Sequence, residues 1–201
     1  MNKQLIIFIK NPELGKAKTR IAKTTGDKKA LSIYQELLQH TRATVQKSDC
    51  YRHLFYSNFI DKEDAWSNTD FSKKLQINGG LGEKMQAAFQ EVHDRDDRTL
   101  IIGSDCGELT PQIIDQAFVA LLTHDVVLGP TFDGGYYMIG MRKAHPELFQ
   151  DIDWSTEQVY PQTLHKLKKN SNTYFELPRL HDIDFEEDYL AWRQLFKHNH
   201  K

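Results

Sequence analysis

An apolar run from Leu5 to Ile9 breaks at Asn11-Pro12 and leads into FIKNPELGKAKTR, residues 8–20, where cations crowd a glycine. Between residues 3 and 20, five cationic side chains (Lys3, Lys10, Lys16, Lys18 and Arg20) stand against one acid, Glu13. A strand end opening into such a loop suits the capture of an anion: Pro12 fixes one φ, Gly15 permits a sharp bend, and Lys16, Lys18 and Arg20 can neutralise oxygens. Polyphosphate is the natural guest. A solvated basic loop has the same composition, and this stretch alone leaves both readings open. It is not a Walker loop, because Gly15-Lys16-Ala17-Lys18-Thr19 lacks the leading glycine, and no G-x-G-x-x-G occurs in the chain.

Carboxylates supply the complementary chemistry. Thr99–Gly103 reads as a buried strand that runs into Ser104-Asp105-Cys106-Gly107-Glu108, before Thr110-Pro111 opens a helix with an N-cap and an N1 proline. Asp105 then sits at a strand's carboxyl end, where ligands collect in open α/β sheets and where a carboxylate can hold a Mg2+ that bridges phosphate oxygens. The alternative is an Asp that caps the turn. Late in the chain, Asp182-Ile183-Asp184 precedes a helix: Asp182 is read as pointing inward to the same metal, and Asp184 as shared with an N-cap completed by Glu187. Asp133-Gly134-Gly135 is a hairpin-type turn that would put Asp133, Tyr136 and Tyr137 on a cleft rim, or serve as a turn alone. Gly79-Gly80-Leu81-Gly82 is a second glycine turn whose backbone can approach a base or a phosphate closely, with a plain flexible turn as the other reading. Cys106 has no adjacent His as a base, so small buried filler is its expected role.

The elements that must position these groups alternate. Leu31, Tyr34, Leu37, Leu38, Thr41 and Val45 predict a helix over 28–45, and Met85, Ala88, Phe89 and Val92 predict another after the glycine turn. Strands are expected at 51–57, 75–78, 99–103, 125–129, 137–141 and 173–177, with a polar excursion over 59–72. A helix is expected to begin at Ser155, boxed by Gln158, and a last one to carry Phe185, Tyr189, Trp192 and Phe196. His198 and His200 in the tail are given no ligand. The alternation predicts one mostly parallel sheet with helices on both faces, a three-layer α/β/α sandwich, over a single domain spanning 1–201.

Composition bounds the partners. With 201 residues, 39% hydrophobic and 27% charged, one globular core is expected. A net charge of −2 gives no overall basic field, so nucleic acid is not an expected partner, whereas local cations suit a small anionic ligand. Cys50 and Cys106 make no disulfide framework or C-x-x-C pair, which points to a reduced, cytoplasmic setting without structural zinc. No apolar stretch approaches the length of a membrane span, and no signal peptide is evident.

Six blocks in order, FIKNPELGKAKTR (8–20), GGLGEKM (79–85), GSDCGELTP (103–111), GPTFDGGYYMIG (129–140), DWSTEQV (153–159) and HDIDFEEDYL (181–190), resemble the DUF2064 family of glycosyltransferase-like proteins, within the nucleotide-diphospho-sugar transferase superfamily of GT-A type. The resemblance implies a GT-A-like fold, a nucleotide or nucleotide-sugar donor, a small-molecule acceptor, and Mg2+ or Mn2+ at Asp105 with Asp182 or Asp184 as second ligand. It assigns nucleotide phosphates to Gly15, Lys16, Lys18 and Arg20. Gly80 and Gly82 join them as candidate donor-binding positions, and Asp105, Lys16 and Asp133 are the candidate catalytic set, Asp133 as acceptor base. Two positions depart from the family pattern: Gly107 stands at an expected proline, and Phe185 where relatives often carry threonine. Sugar transfer is the favoured reaction; nucleotidyl transfer from an NTP to a phosphorylated small molecule, or nucleotide binding without turnover, are the alternatives.

Overall fold

A computed structural model describes residues 2–94 and 97–198, so His200 lies outside the described residues. Seven strands form one sheet: β1 (Lys3–Ile9), β2 (Tyr51–Tyr56), β3 (Ser72–Leu75), β4 (Arg98–Ile102), β5 (Val126–Pro130), β6 (Tyr136–Met141) and β7 (Tyr174–Glu176). They are ordered β3-β2-β1-β4-β6-β5-β7. Only β6 runs against its neighbours, pairing antiparallel with both β4 and β5. The carboxyl ends of the other six strands, and the start of β6, therefore share one edge. Six α-helices cover the faces: α1 (Thr19–Thr25), α2 (Asp27–Val45), α3 (Leu81–Val92), α4 (Pro111–Ala120), α5 (Val159–Lys169) and α6 (Glu186–His198).

The period-two geometry of a strand explains the apolar run of β1. Leu5, Ile7 and Ile9 pack on one face with Tyr34 and Leu38 of α2 and Phe118 of α4. Ile6 packs on the other with Met85 and Phe89 of α3 and with Leu167 of α5. A strand buried on both faces must be apolar throughout, which is how β1, β4 and β5 read. A third cluster, Ile21, Ile33, Leu37, Ile183 and Trp192, seals α1 and α6 onto α2.

Three local expectations are corrected. The strand expected at 75–78 lies at Ser72–Leu75. It is an edge strand whose Lys73 and Lys74 are tied to Asp64 and Glu91, so charge protects its free side and masks its strand pattern. The helix expected from Ser155 begins at Val159, because Ser155 takes a left-handed conformation (φ 64°). Thr156 rather than Ser155 accepts from the Gln158 N–H there. In the last helix the capping carboxylate is Asp188, which accepts from the N–H groups of both Asp184 and Phe185; Glu187 does not complete the box.

Gly107 has a packing reason. Trp192 of α6 donates from Nε1 to the Gly107 carbonyl at 2.7 Å. A Cβ on Gly107 would lie 2.6 Å from that same Nε1. The indole thus closes over the turn that carries Asp105, and proline would not fit beneath it. Gly107→Ala is expected to lower unfolding free energy by about 1–3 kcal/mol through overpacking. An unchanged urea midpoint would contradict the contact.

Candidate active site

A cleft of about 840 Å³ opens along the carboxyl edge of the sheet. The strand order brings the ends of β1, β2 and β4 to its floor, α3 to one wall, and the β5–β6 turn with the segment before α5 to the other.

The loop after β1 is stapled in place before any ligand arrives. Asn11 is buried, and its Oδ1 accepts from the Asn58 N–H at 2.9 Å while its Nδ2 donates to the Phe59 carbonyl at 2.9 Å. Glu13 accepts from Asn58 and pairs with Lys16 at 2.8 Å. Tyr34 of α2 donates to the Lys10 carbonyl, accepts from its N–H, and meets Ser104 Oγ at 3.3 Å, joining the exits of β1 and β4. Lys16 is exposed on this loop, and neither it nor Gly15 lines the cleft.

Lys18 behaves differently. Its side chain is only 5% exposed, and its backbone adopts the left-handed region (φ 50°). Its ammonium donates to the Ile183 carbonyl at 2.6 Å and pairs with Asp105 at 2.7 Å. Asp184 stands 3.9 Å away and is held mainly by Arg20, at 2.5 Å. The Phe185 ring lies 6.0 Å from the Arg20 guanidinium, so this departure from the family pattern supports the pair. Lys18 and Arg20, expected from the sequence to bind phosphate, are here the counter-charges of Asp105 and Asp184.

An extended strap brings the late aspartates to Asp105. Leu180 bridges to the end of β5, and the Ile183 N–H donates to the Asp105 carbonyl at 2.9 Å. Alternation along that strap sends Ile183 into the core and leaves Asp182 and Asp184 on the cleft side. Burial, then the charges of Asp105 and Asp133, push the Asp182 carboxyl up to about 7 against the pull of Lys18. Asp133 lies on the rim as expected, with Oδ1 accepting from Thr131 Oγ1 and from the Gly135 N–H in an Asx-type turn. Cys106 is buried, and desolvation pushes its thiol well above the usual range, in keeping with an inert filler.

The second glycine turn forms the start of α3. The Gly80 N–H donates to Glu83 Oε2 at 2.7 Å. Gly82 is buried where a Cβ would lie 2.4 Å from Trp154 Nε1 and 2.5 Å from the Phe149 carbonyl. Neither glycine lines the cleft; their neighbours Leu81, Lys84 and Met85 do. Sequence reasoning missed Lys84, which projects from the first turn of α3 and makes no ion pair among the described residues. It also missed the wall of Trp154, Ser155 and Glu157, whose D-W-S-T-E-Q pattern resembles a helix start.

A family model described as an uncharacterized protein conserved in bacteria (DUF2064) matches residues 40–156. The chain belongs to the DUF2064 family. It is similar over 92% of its length to 84% of a candidate nucleotide-diphospho-sugar transferase from Desulfovibrio desulfuricans G20, with 30% identity and a TM-score of 0.82. The fold is shared with Rv0371C of Mycobacterium tuberculosis H37Rv in complex with manganese (9% identity, 96% of this chain and 99% of that one, TM-score 0.62). It is shared too with the inositol-1-phosphate CTP transferase of T. maritima (13% identity, 96% and 95%, TM-score 0.61). No curated protein matches the chain. The mostly parallel α/β architecture of this DUF2064 protein is therefore that of the nucleotide-diphospho-sugar transferases, and no described helix is long and apolar enough to cross a membrane.

Asp182 gives a signed pH test. Its carboxyl loses a proton near 3.8 when unfolded and near 7 when folded, so the folded state holds the extra proton and stability falls as pH rises through that window. Without divalent metal, Asp182→Asn is expected to stabilise this DUF2064 protein above pH 7 and to make no difference below about pH 4. Solvent reaching the carboxyl trims the gain to about 1 kcal/mol, or about 2–4 °C in Tm at this chain length. A Tm difference that does not vary with pH would remove this account of the carboxylate cluster.

Proposed function

We propose that this protein is a divalent-metal-dependent transferase that moves a sugar from a nucleoside diphosphate donor to a small-molecule acceptor. The observation that carries the reading is the meeting of Asp105 and Asp182 on the floor of a cleft whose neighbouring wall carries Lys84 and whose β1 exit carries Lys10, both without an ion pair among the described residues.

The donor set suits Mg2+ or Mn2+. Carboxylates are hard oxygen ligands, and the Asp182 carboxyl, raised first by burial and then by the charges of Asp105 and Asp133, is one whose ionised form a divalent cation would favour. Asp105 and Asp182 are the residues we assign to it. Asp184 supports them through Arg20 and Lys18, and no group of three or more His, Cys, Asp or Glu side chains stands ready as a metal site among the described residues. When bound, the cation supplies Lewis-acid stabilisation of the departing diphosphate. Lys84 and Lys10 neutralise the remaining phosphate charge, and Lys18 holds Asp105 in place. Lys16, occupied by Glu13 outside the cleft, takes no direct part. Asp133 remains the group that orients the acceptor through the oxygen its turn leaves free.

Charge favours a diphosphate over a triphosphate. Of the cationic side chains lining the cleft, Lys18 and Arg20 are committed to aspartates, leaving Lys10 and Lys84 for the ligand. Nucleotidyl transfer is the second reading, favoured by the fold shared with the CTP transferase. Turnover-free nucleotide binding is the third.

A thermal-shift panel with and without Mg2+ or Mn2+ separates them, since a ligand that binds the folded state raises Tm by mass action. A shift from a nucleotide sugar or NDP that requires metal, and vanishes in Asp105→Ala, is the expected result. A larger shift from an NTP favours nucleotidyl transfer, and metal-independent nucleotide binding favours the non-catalytic reading. Lys84→Ala should weaken donor binding by about 1–3 kcal/mol, roughly five- to 150-fold, as loss of a charge-assisted contact. Lys16→Ala should leave it nearly unchanged, and the reverse ranking by calorimetry would return the phosphate role to the first loop.

A further inference from the structure

The cleft is divided by charge. On the side built from β1, β2 and α3, the charged lining residues are Lys10 and Lys84. On the side built from the β5–β6 turn and the segment before α5, they are Asp133 and Glu157, and no Lys or Arg among the described residues lines that wall. Trp154 lines the same wall, set edge-on to Tyr136 with ring centres 6.3 Å apart.

We infer that this second wall is an acceptor subsite for a neutral or amine-bearing polyhydroxylated molecule, and that it discriminates against phosphorylated ones. The inference rests on the transfer reading above and narrows its acceptor. Glu157 is exposed to the cleft and has no hydrogen-bond or ion-pair partner among the described residues, so both its oxygens are open to hydroxyl or ammonium donors. Ser155 Oγ is likewise unengaged, whereas Thr156 spends its hydroxyl on the Asp153 carbonyl. An aromatic side chain beside free carboxylate and hydroxyl groups suits the C–H and O–H faces of a polyol or sugar ring. A phosphate monoester would meet two carboxylates and no cation, a like-charge arrangement that costs affinity.

The wall is built rather than incidental. Four described non-glycine residues have positive φ, and two of them, Lys18 and Ser155, line the cleft. Such backbone strain persists where surrounding contacts over-determine it. Here Gly134 (φ 89°) lets the β5–β6 turn press on the Glu157 backbone, where a Cβ would lie 2.4 Å from its carbonyl oxygen. Gly82 does the same for Trp154 from α3. Glycine at these two contacts fixes Asp133, Trp154 and Glu157 relative to one another.

The test needs neither a donor nor an activity assay. Saturation-transfer NMR on the full chain, in EDTA so that no metal recruits phosphate, compares myo-inositol and glucosamine with inositol 1-phosphate and glucosamine 6-phosphate. The unphosphorylated probes are expected to bind at least about tenfold more tightly, Glu157→Gln to narrow that ratio, and Glu157→Lys to reverse it; one charge contact is worth about that factor. Glu157 is exposed, so both variants should fold, as their Tm would report. Equal or tighter binding of the phosphorylated probes, no binding of either unphosphorylated probe, or a ratio that ignores Glu157→Lys overturns the inference. Because donor binding is measured separately, failure here leaves the transfer reading standing, with its acceptor open.

Discussion

The site depends on one buried ammonium. Lys18 joins three distant parts of the chain: the loop after β1, the end of β4 through Asp105, and the strap before α6 through the Ile183 carbonyl. Removing a charge of this kind from water is costly, and only close partners offset it; a carboxylate at 2.7 Å and a carbonyl at 2.6 Å supply that compensation. The left-handed backbone at Lys18 adds a further cost of order 1–3 kcal/mol, which is tolerated because both ends of its side chain's path are fixed. Arginine would not substitute simply, since its planar fork cannot converge on one point as an ammonium does.

From that anchor the rest of the floor follows. Ile183 must enter the core to bring its carbonyl to Lys18, and strand alternation then obliges Asp182 and Asp184 to face the cleft. Trp192 of α6 closes over Gly107, so the helix that follows the strap also clamps the Asp105 turn. The aspartates thus belong to one mechanical unit although they lie far apart in sequence. Burial and the neighbouring Asp105 and Asp133 charges disfavour the ionised Asp182, so a fold that holds these acids together gives up stability to do so.

Legibility in the sequence followed the range of the interaction. The strands of the sheet centre were visible because burial on both faces leaves only apolar residues, as in Leu5–Ile9 and Val126–Leu128. The edge strand was misplaced because Lys73 and Lys74 replace that signal with charge. Asp105, Asp133 and the pair Asp182 and Asp184 were found from their positions at strand ends and before a helix, and the structure brings all four to one cleft. The cations of the first loop were visible, but not their partners: local composition cannot reveal that Arg20 spends its charge on Asp184 or Lys18 on Asp105. Lys84 was hidden behind a glycine turn whose glycines proved to serve packing and capping.

This distinction between bound and free charge bears on how the cleft can work. If every cation of the first loop were available, the cleft would present its strongest positive field at the β1 exit and would suit a triphosphate. With Lys18 and Arg20 neutralised by aspartates, the unspent cations are Lys10 and Lys84, and the unspent anions of the opposite wall are Asp133 and Glu157. The field then runs across the cleft instead of concentrating at one loop. Under the proposed transfer, opposed charges at the two walls would orient a ligand that carries its phosphates at one end and its hydroxyls at the other, over the Asp105 and Asp182 carboxylates of the floor. Salt should weaken the exposed ends of that field more than its floor, where Lys18 is shielded from solvent.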